Sequence, residues 1–319
     1  MAIQVVRYDA TPAPMWGVVF GKKVAPLAGF YPTTRDFIER GAREARSVLY
    51  EEASVELSSL NLLSPITTNQ QFICQGLNYA SHVREAGLDP QAISFNTLFT
   101  KASSCLTGAT ADVLRPPHVK LLDYEVELGL VVGRSITNPA RVEPRQLHQY
   151  LAAVTIVNDI SARDVQLPEG QFYKGKSYRS FGPCGPYLVL LDEAEWLRWP
   201  EFHLELAVND VVRQNAYCRD MIYPPHTTLT ELSALQDLHA GDLIATGTPA
   251  GCALQAPGKL AGWLARWLLT DRAKWQMFVR SGTRNSRYLK SNDVIHATIR
   301  TDDGLIDLGL QHNRVVAGR

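Results

Sequence analysis

DYEVELGLVVG, residues 123–133, decides how the chain is read. Taken as a strand, YEVELGLVV (124–132) points Tyr124, Val126, Leu128, Leu130 and Val132 one way and Glu125, Glu127, Gly129 and Val131 the other, because successive side chains alternate. The first face is uniformly large and apolar, so the strand belongs inside a sheet. The second carries two carboxylates and is expected to lie under other structure. Outward from it, short apolar runs divided by Gly, Pro and Asn recur: FICQGLN (72–78), AAVTIVND (152–159), GPYLVLLD (185–192), LELAVND (204–210) and DLIATGTP (242–249). Many strands, few long helices and no regular alternation of strand and helix predict an α+β fold on a mixed or antiparallel sheet.

Before these runs the texture differs. WGVVFGKKVAPL (16–27) reads as a hairpin around Gly21-Lys22, and TTRDFIERGAREARSVLYEEA (33–53) has helical spacing at Phe37, Ile38, Ala42, Ala45, Val48 and Leu49. A small strand-rich unit over 1–65, followed by a larger domain over 66–319, is the expected organisation. LAGWLARWLLTDRAKWQMFVRSG (260–282) is read as an amphipathic helix, or two broken near Thr270-Asp271. Trp263, Trp267 and Trp275 lie on it, and it is expected to pack on the body or on a partner subunit rather than to cover a site.

The composition excludes several classes. With 32 Lys+Arg against 32 Asp+Glu in 319 residues, the net charge of zero disfavours a nucleic-acid binder. No apolar run approaches the ~18 residues of a membrane span, and the start lacks the pattern of a secretory signal. Cys74, Cys105, Cys184, Cys218 and Cys252 are odd in number and form no CxxC pair, so neither a disulfide framework nor a zinc ribbon fits. A reducing, cytoplasmic compartment is expected. Gly170–Ser177 matches GxxxxGK[ST] letter for letter, but a phosphate loop needs a buried strand before it and a helix after it, and SARDVQLPE and YRSFGPCGP supply neither. GxSxG and GxGxxG do not occur.

Several side chains are candidates for chemistry. Residues i and i+2 of a strand lie about 6–7 Å apart, so Glu125 and Glu127 can converge on one cation. Read alone, the pair is more plainly the wet face of a strand. The run ending in Asn158-Asp159 delivers a third oxygen donor, and three carboxylates completed by water suit Mg²⁺ or Mn²⁺. In GLNYASHVREAG (76–87), Asn78 reads as an N-cap and His82 and Glu85 are i, i+3 neighbours, an imidazole beside a carboxylate as a general base requires. Arg163, Gln166, Lys174 and Lys176 follow Asp159 closely. Arg suits a substrate carboxylate and Lys an enolate oxygen, although solvated loop charge is the plainer reading of each. IATGTPAG (244–251) is a tight turn whose N–H groups and threonine hydroxyls can hold an anionic oxygen.

The order GLNYASHVRE, DYEVELGLVVG, TIVNDISARDVQ, GKSYRSFGPCGP, GDLIATGTPAG resembles the fumarylacetoacetate hydrolase family over about residues 70–256, with a weaker echo in SNDVIHATIRTDDGLIDLGLQHNRV (291–315). The hairpin at Trp16-Gly17 is similar to the short leading domain of many members. The resemblance implies a mixed β-sheet roll with flanking helices, a homodimer, and Mg²⁺, Mn²⁺ or sometimes Ca²⁺. It implies metal ligands at Glu125, Glu127 and Asp159, a catalytic pair at His82 and Glu85 on a lid helix, and substrate-polarising groups at Arg163, Gln166 and Lys176. Thr246, Gly247 and Thr248 would lie beside the substrate. The sequence departs from the pattern at the 260–287 insertion and at Tyr178-Arg179, where relatives carry an aromatic and an Asp; Arg179 would add a cation near the site.

The reaction so implied is metal-dependent hydrolysis of a C–C bond in a 2,4-dioxo acid, an acylpyruvate or fumarylpyruvate of aromatic catabolism. Decarboxylation or tautomerisation of a β-oxo acid such as oxaloacetate, or a hydratase or isomerase of the same family, uses related chemistry. A non-catalytic metal-binding protein is the reading from another class, and His82 with Glu85 argues against it, since a binder needs no general base.

Overall fold

The computed structural model describes residues 2–255 and 271–318. Val126–Val132 runs through the middle of a large mixed sheet and is buried on both faces along its whole length. It pairs antiparallel with Leu151–Asn158, Val126 opposite Asn158, and on its other side with Leu243–Ala245, Gly129 opposite Ala245. Leu243–Ala245 lies parallel to Phe72–Gly76, which pairs antiparallel with Thr97–Lys101. A near-continuous run of β-branched and leucine residues is what such a doubly covered position selects. The polar face of 124–132 is therefore covered, as expected, and the α+β class holds.

The N-terminal strands extend the same sheet. Met15–Phe20 and Lys23–Pro26 form the hairpin, closed by Gly21 at φ +61°. Ile3–Tyr8 joins them to Leu188–Leu190, Ile3 opposite Leu190. The helical run begins at Thr33, whose hydroxyl accepts from the Asp36 N–H at 3.1 Å, and widens by one π turn over Phe37–Gly41. It ends at Ser47, short of Ala53, because Val48 turns to an extended backbone (ψ 135°). Its apolar face is fixed by Phe37, stacked on Trp16 with centroids 4.2 Å apart, while the Trp16 indole donates to the Tyr31 carbonyl at 2.9 Å.

A second sheet of His203–Val208, Val211–Tyr217, Val294–Arg300 and Asp307–Ala317 carries the C-terminal strands, with Val113–Arg115 parallel to the last of them. Gln311 from this sheet donates to the Ile156 carbonyl of the first at 3.0 Å. All five cysteines are free, buried thiols. Among the described residues, no helix is long and apolar enough to cross a membrane. Gly170–Ser177 follows the helix Arg163–Glu169 and holds one helical turn, Tyr173–Lys176, so no buried strand enters it. The expected helix over 260–282 is described from Asp271 to Gly282; Trp263 and Trp267 lie outside the described residues.

Candidate active site

Strand pairing brings the carboxylates together. Glu125 immediately precedes Val126 and Asp159 immediately follows Asn158, its register partner, so both leave the same end of the sheet. The Asp159 N–H donates to the Glu125 carbonyl at 2.8 Å, and the Asn158 amide oxygen accepts from the Glu125 N–H at 3.0 Å. Glu127 is the next inward residue on the same side. Oxygens of Glu125, Glu127 and Asp159 lie within 4.8 Å of one another, and all three residues are buried.

Three buried cations surround them. Lys176 Nζ donates to Glu125 Oε2 at 2.6 Å and to Asp159 Oδ2. Lys101 Nζ donates to Asp159 Oδ1 and to the Phe181 carbonyl, the latter at 2.6 Å. Arg163 donates through Nε to Asp123 at 2.8 Å, to the Gln166 side-chain oxygen at 2.9 Å and to Glu125. Asp123 also accepts from the Ala253 and Leu254 N–H groups at 2.7 and 3.0 Å, which ties Arg163 to the chain after the TGTPAG turn.

The electrostatics follow from this arrangement. Burial would raise the Glu125 carboxyl, but Arg163 and Lys176 outweigh it and hold it well below the usual carboxylate range. Burial would lower Lys176 and Lys101, and Asp159 reverses both shifts, so both ammonium groups stay charged. Glu127 is different. Burial, then Asp159 and Glu125, push its carboxyl well up, and the partner it does have is a neutral one, the Gly247 N–H at 2.8 Å. Four buried carboxyl groups, counting Asp123, thus face three buried cations, and Glu127 is the one with no cation hydrogen-bonded to it among the described residues. A hard divalent cation, which prefers carboxylate oxygens, fits this donor set.

His82 and Glu85 share one face of the helix Ala80–Glu85, His82 Nδ1 3.8 Å from Glu85 Oε2. Glu85 is fixed by the Gly251 N–H at 2.8 Å. Its carboxyl is raised by burial but lowered further by the His82 ring and that N–H, and it ends below the usual range. His82 lines a cavity of about 380 Å³ together with Glu125, Glu127, Arg163, Gln166 and Lys176. Water activation beside a carboxylate cluster is chemistry this geometry can perform.

Other expectations met different outcomes. Thr248 lines the cavity, while its hydroxyl donates to the Val126 carbonyl at 3.0 Å. The Thr246 hydroxyl donates to the Leu128 carbonyl at 2.9 Å and the Gly247 N–H holds Glu127, so these two clamp the strand and its carboxylate. Asn78 does not cap the helix, which starts after Tyr79. It is fully buried, and its amide is satisfied by the Thr246 carbonyl at 2.8 Å and the Tyr223 N–H at 2.7 Å, clasping two distant loops. Lys174 is exposed and paired with Glu169 at 2.6 Å. Arg179 is exposed and lies outside the cavity wall. Phe278 of the insertion does line the cavity, so this segment contributes to the site as well as packing through Gly282 on Leu121. Sequence reasoning missed Lys101 and Asp123. A lysine closing the apolar strand TLFTK, and an aspartate abutting YEVE, were the available signals.

Comparison with known proteins agrees with the fold. The family model described as fumarylacetoacetate (FAA) hydrolase C-terminal matches residues 71–316. An uncharacterized protein of Staphylococcus saprophyticus is 36% identical over 205 residues, 63% of this chain and 64% of that protein, so the match spans less than two thirds of the relative. The solved structure of a probable 2-hydroxyhepta-2,4-diene-1,7-dioate isomerase from Mycobacterium abscessus is 29% identical, with TM-score 0.73 and coverage of 100% of both chains. The maleylpyruvate hydrolase of Sphingobium sp. SYK-6, solved with manganese(II) and pyruvate, shares the fold at 23% identity and TM-score 0.70 over 99% of this chain and 100% of that one.

Proposed function

Because the chain belongs to the fumarylacetoacetate hydrolase family, a family of enzymes acting on oxo acids, we propose that it hydrolyses a C–C bond in a 2,4-dioxo acid. The observation that carries this reading is that Glu125 and Glu127, members of the buried carboxylate cluster with Asp159, open on the same cavity as His82 of the His82–Glu85 pair. Glu125, Glu127 and Asp159 are the residues that would hold Mg²⁺ or Mn²⁺, with Ca²⁺ the third choice. A divalent cation bound there supplies Lewis-acid polarisation of a chelating 2-oxo acid.

The chain's own residues account for the remaining steps. Lys176, kept protonated by Asp159 and Glu125, offers positive charge to the oxygen on which negative charge develops. Arg163 is locked by Asp123 and orients both Glu125 and Gln166, whose side-chain oxygen it occupies; the Gln166 NH₂ then serves a substrate oxygen. His82, steered by Glu85, takes a proton from water, which attacks the carbonyl carbon at position 4. The bond between carbons 3 and 4 breaks and its electron pair stays with the pyruvyl fragment, which regains a proton at carbon 3. One water is consumed, and one carboxylic acid and one pyruvate are released. Thr246, Gly247 and Thr248 act by fixing the carboxylate strand against the substrate.

The 29% identity to a protein named as a probable dienedioate isomerase favours, as the second reading, proton transfer on a related oxo acid without water addition. The reading extends to a homodimer with an N-terminal unit over 1–65 and a catalytic domain over 66–319. Five unpaired buried thiols support a reducing, cytoplasmic setting. The test is incubation of Mg²⁺-loaded protein with acylpyruvates and with oxaloacetate, with and without EDTA, following the enol absorbance and the product acids. Chelator-sensitive release of pyruvate from acylpyruvates is expected. Turnover of oxaloacetate alone, or activity that survives exhaustive chelation, contradicts the reading.

A further inference from the structure

The cavity is lined by two chemically distinct groups of residues. Its floor holds the carboxylates with Arg163 and Lys176, while Leu77, Leu88, Phe99, Leu167, Phe172 and Phe278 form an apolar wall; Gln75, His82 and Gln255 are uncharged or titratable polar groups that also line the cavity. Phe99 and Phe172 meet edge to face, centroids 5.1 Å apart at 87°, and make a rigid aromatic corner. Lys176 Nζ lies 5.2 Å from the Phe99 ring centre, so the corner begins where the cationic floor ends. Leu88 and Leu167 border the cavity and are 49% and 41% exposed, so apolar surface continues from the wall to the cavity's mouth. Leu77 sits on the wall with φ +54°, a left-handed backbone that a leucine adopts only when held there.

We propose that this wall is the subsite for the distal end of the substrate and that it selects an uncharged, apolar acyl group of butyl or phenyl size, not a second carboxylate. This rests on the oxo-acid head lying on the cationic floor, as in the function proposed above. Among the described lining residues the two permanent cations, Arg163 and Lys176, both face floor carboxylates. Against Phe99 and Phe172 a distal carboxylate would therefore be stripped of water with no permanent cation among the described lining residues left to pair with it, which is costly. Each methylene removed from water instead favours binding by roughly fourfold. The substrate would then differ in class from the dioates named for the mycobacterial relative.

The test has a binding arm and a turnover arm. Mg²⁺-loaded protein is titrated calorimetrically with pyruvate, 2-oxohexanoate, 4-phenyl-2-oxobutanoate and 2-oxohexanedioate, none of which has the 4-oxo group that hydrolysis needs. Turnover is then compared for methyl, butyl and phenyl 2,4-dioxo acids and for fumarylpyruvate. The expected result is that the butyl- and phenyl-bearing acids bind, and react in kcat/KM, at least tenfold better than both the methyl and the dioate compounds. Phe172→Ala should collapse that ratio, with Leu167→Ala as the second variant if the first does not fold. The expected binding order with no turnover of any 2,4-dioxo acid supports the subsite and sinks the hydrolase reading. Turnover with a flat or reversed order overturns the subsite and leaves the hydrolase reading standing. Absence of binding by every 2-oxo acid overturns both.

Discussion

Lys101 and Lys174 are the same residue type at similar distances from a carboxylate, and they should behave oppositely when replaced by Met. Lys101 is wholly buried, its ammonium shared between Asp159 and the Phe181 carbonyl. Lys101→Met keeps the stem but leaves Asp159 with Lys176 as its one cationic partner among the described residues, and the cluster loses one of its three buried cations. Breaking a buried ion pair by removing one partner costs about 3–5 kcal/mol. For a chain of 319 residues a loss of that size lowers Tm by roughly 6–10 °C, at about 2 °C per kcal/mol. Lys174, 63% exposed and paired with Glu169, lies in water that screens the pair, so Lys174→Met should leave Tm unchanged. Differential scanning calorimetry on the two variants and the parent gives the comparison directly. Adding Mg²⁺ should restore part of the Lys101→Met loss, because a bound cation offsets the extra negative charge. If both variants melt within 1 °C of the parent, the idea that Lys101 holds Asp159 in place is wrong.

Replacing His82 with Ala should lower turnover of acylpyruvates by about 10²–10⁴-fold, the usual worth of a general base, with metal binding intact; near-normal kcat would remove His82 from the mechanism. Phe37→Ala takes away the ring stacked on Trp16 in a fully buried position and should cost about 3–5 kcal/mol, read as a drop in the urea midpoint; a loss below 1 kcal/mol would mean the N-terminal helix is held by other contacts. Asp303 accepts from the Thr301 hydroxyl, the Leu305 N–H and Arg198, which lower its carboxyl to about 2. A carboxyl lowered in the folded state stabilises above its unfolded value of about 3.9 and loses that contribution as pH falls towards the folded one. Asp303→Asn should therefore reduce the urea midpoint at pH 7, with the gap to the parent narrowing below pH 4; a gap independent of pH would contradict the assignment.

What could be read in the sequence was local. Glu125 with Glu127, and His82 with Glu85, are close in the chain, so strand and helix geometry alone place each pair on one face. Asp159 was readable as the residue that ends an apolar run. The groups that were missed act across long sequence distances. Lys101 meets Asp159 over 58 residues of separation and Asp123 meets Arg163 over 40, contacts that only sheet pairing creates. Asn78 was misread for the same reason: a buried amide satisfies the nearest competing donors and acceptors, here on loops about 145 and 168 residues away, and the local cap is forgone. Thr246 looked like a free hydroxyl in a turn, but a sheet neighbour, Leu128, supplies the acceptor. The helix after Thr33 has apolar spacing as far as Leu49, yet the chain leaves the helix at Val48, which turns extended and stays packed on the core while Leu49 is left 63% exposed.

The central claim, that Glu125, Glu127 and Asp159 form one cation site, is tested most directly by titrating the apoprotein with Mn²⁺ and following the free-ion signal by electron paramagnetic resonance. One Mn²⁺ should bind per chain, displaced by Mg²⁺, and Glu127→Gln should abolish that binding while the variant stays folded by circular dichroism. Unchanged stoichiometric binding in Glu127→Gln, or none in the parent protein, would contradict the account.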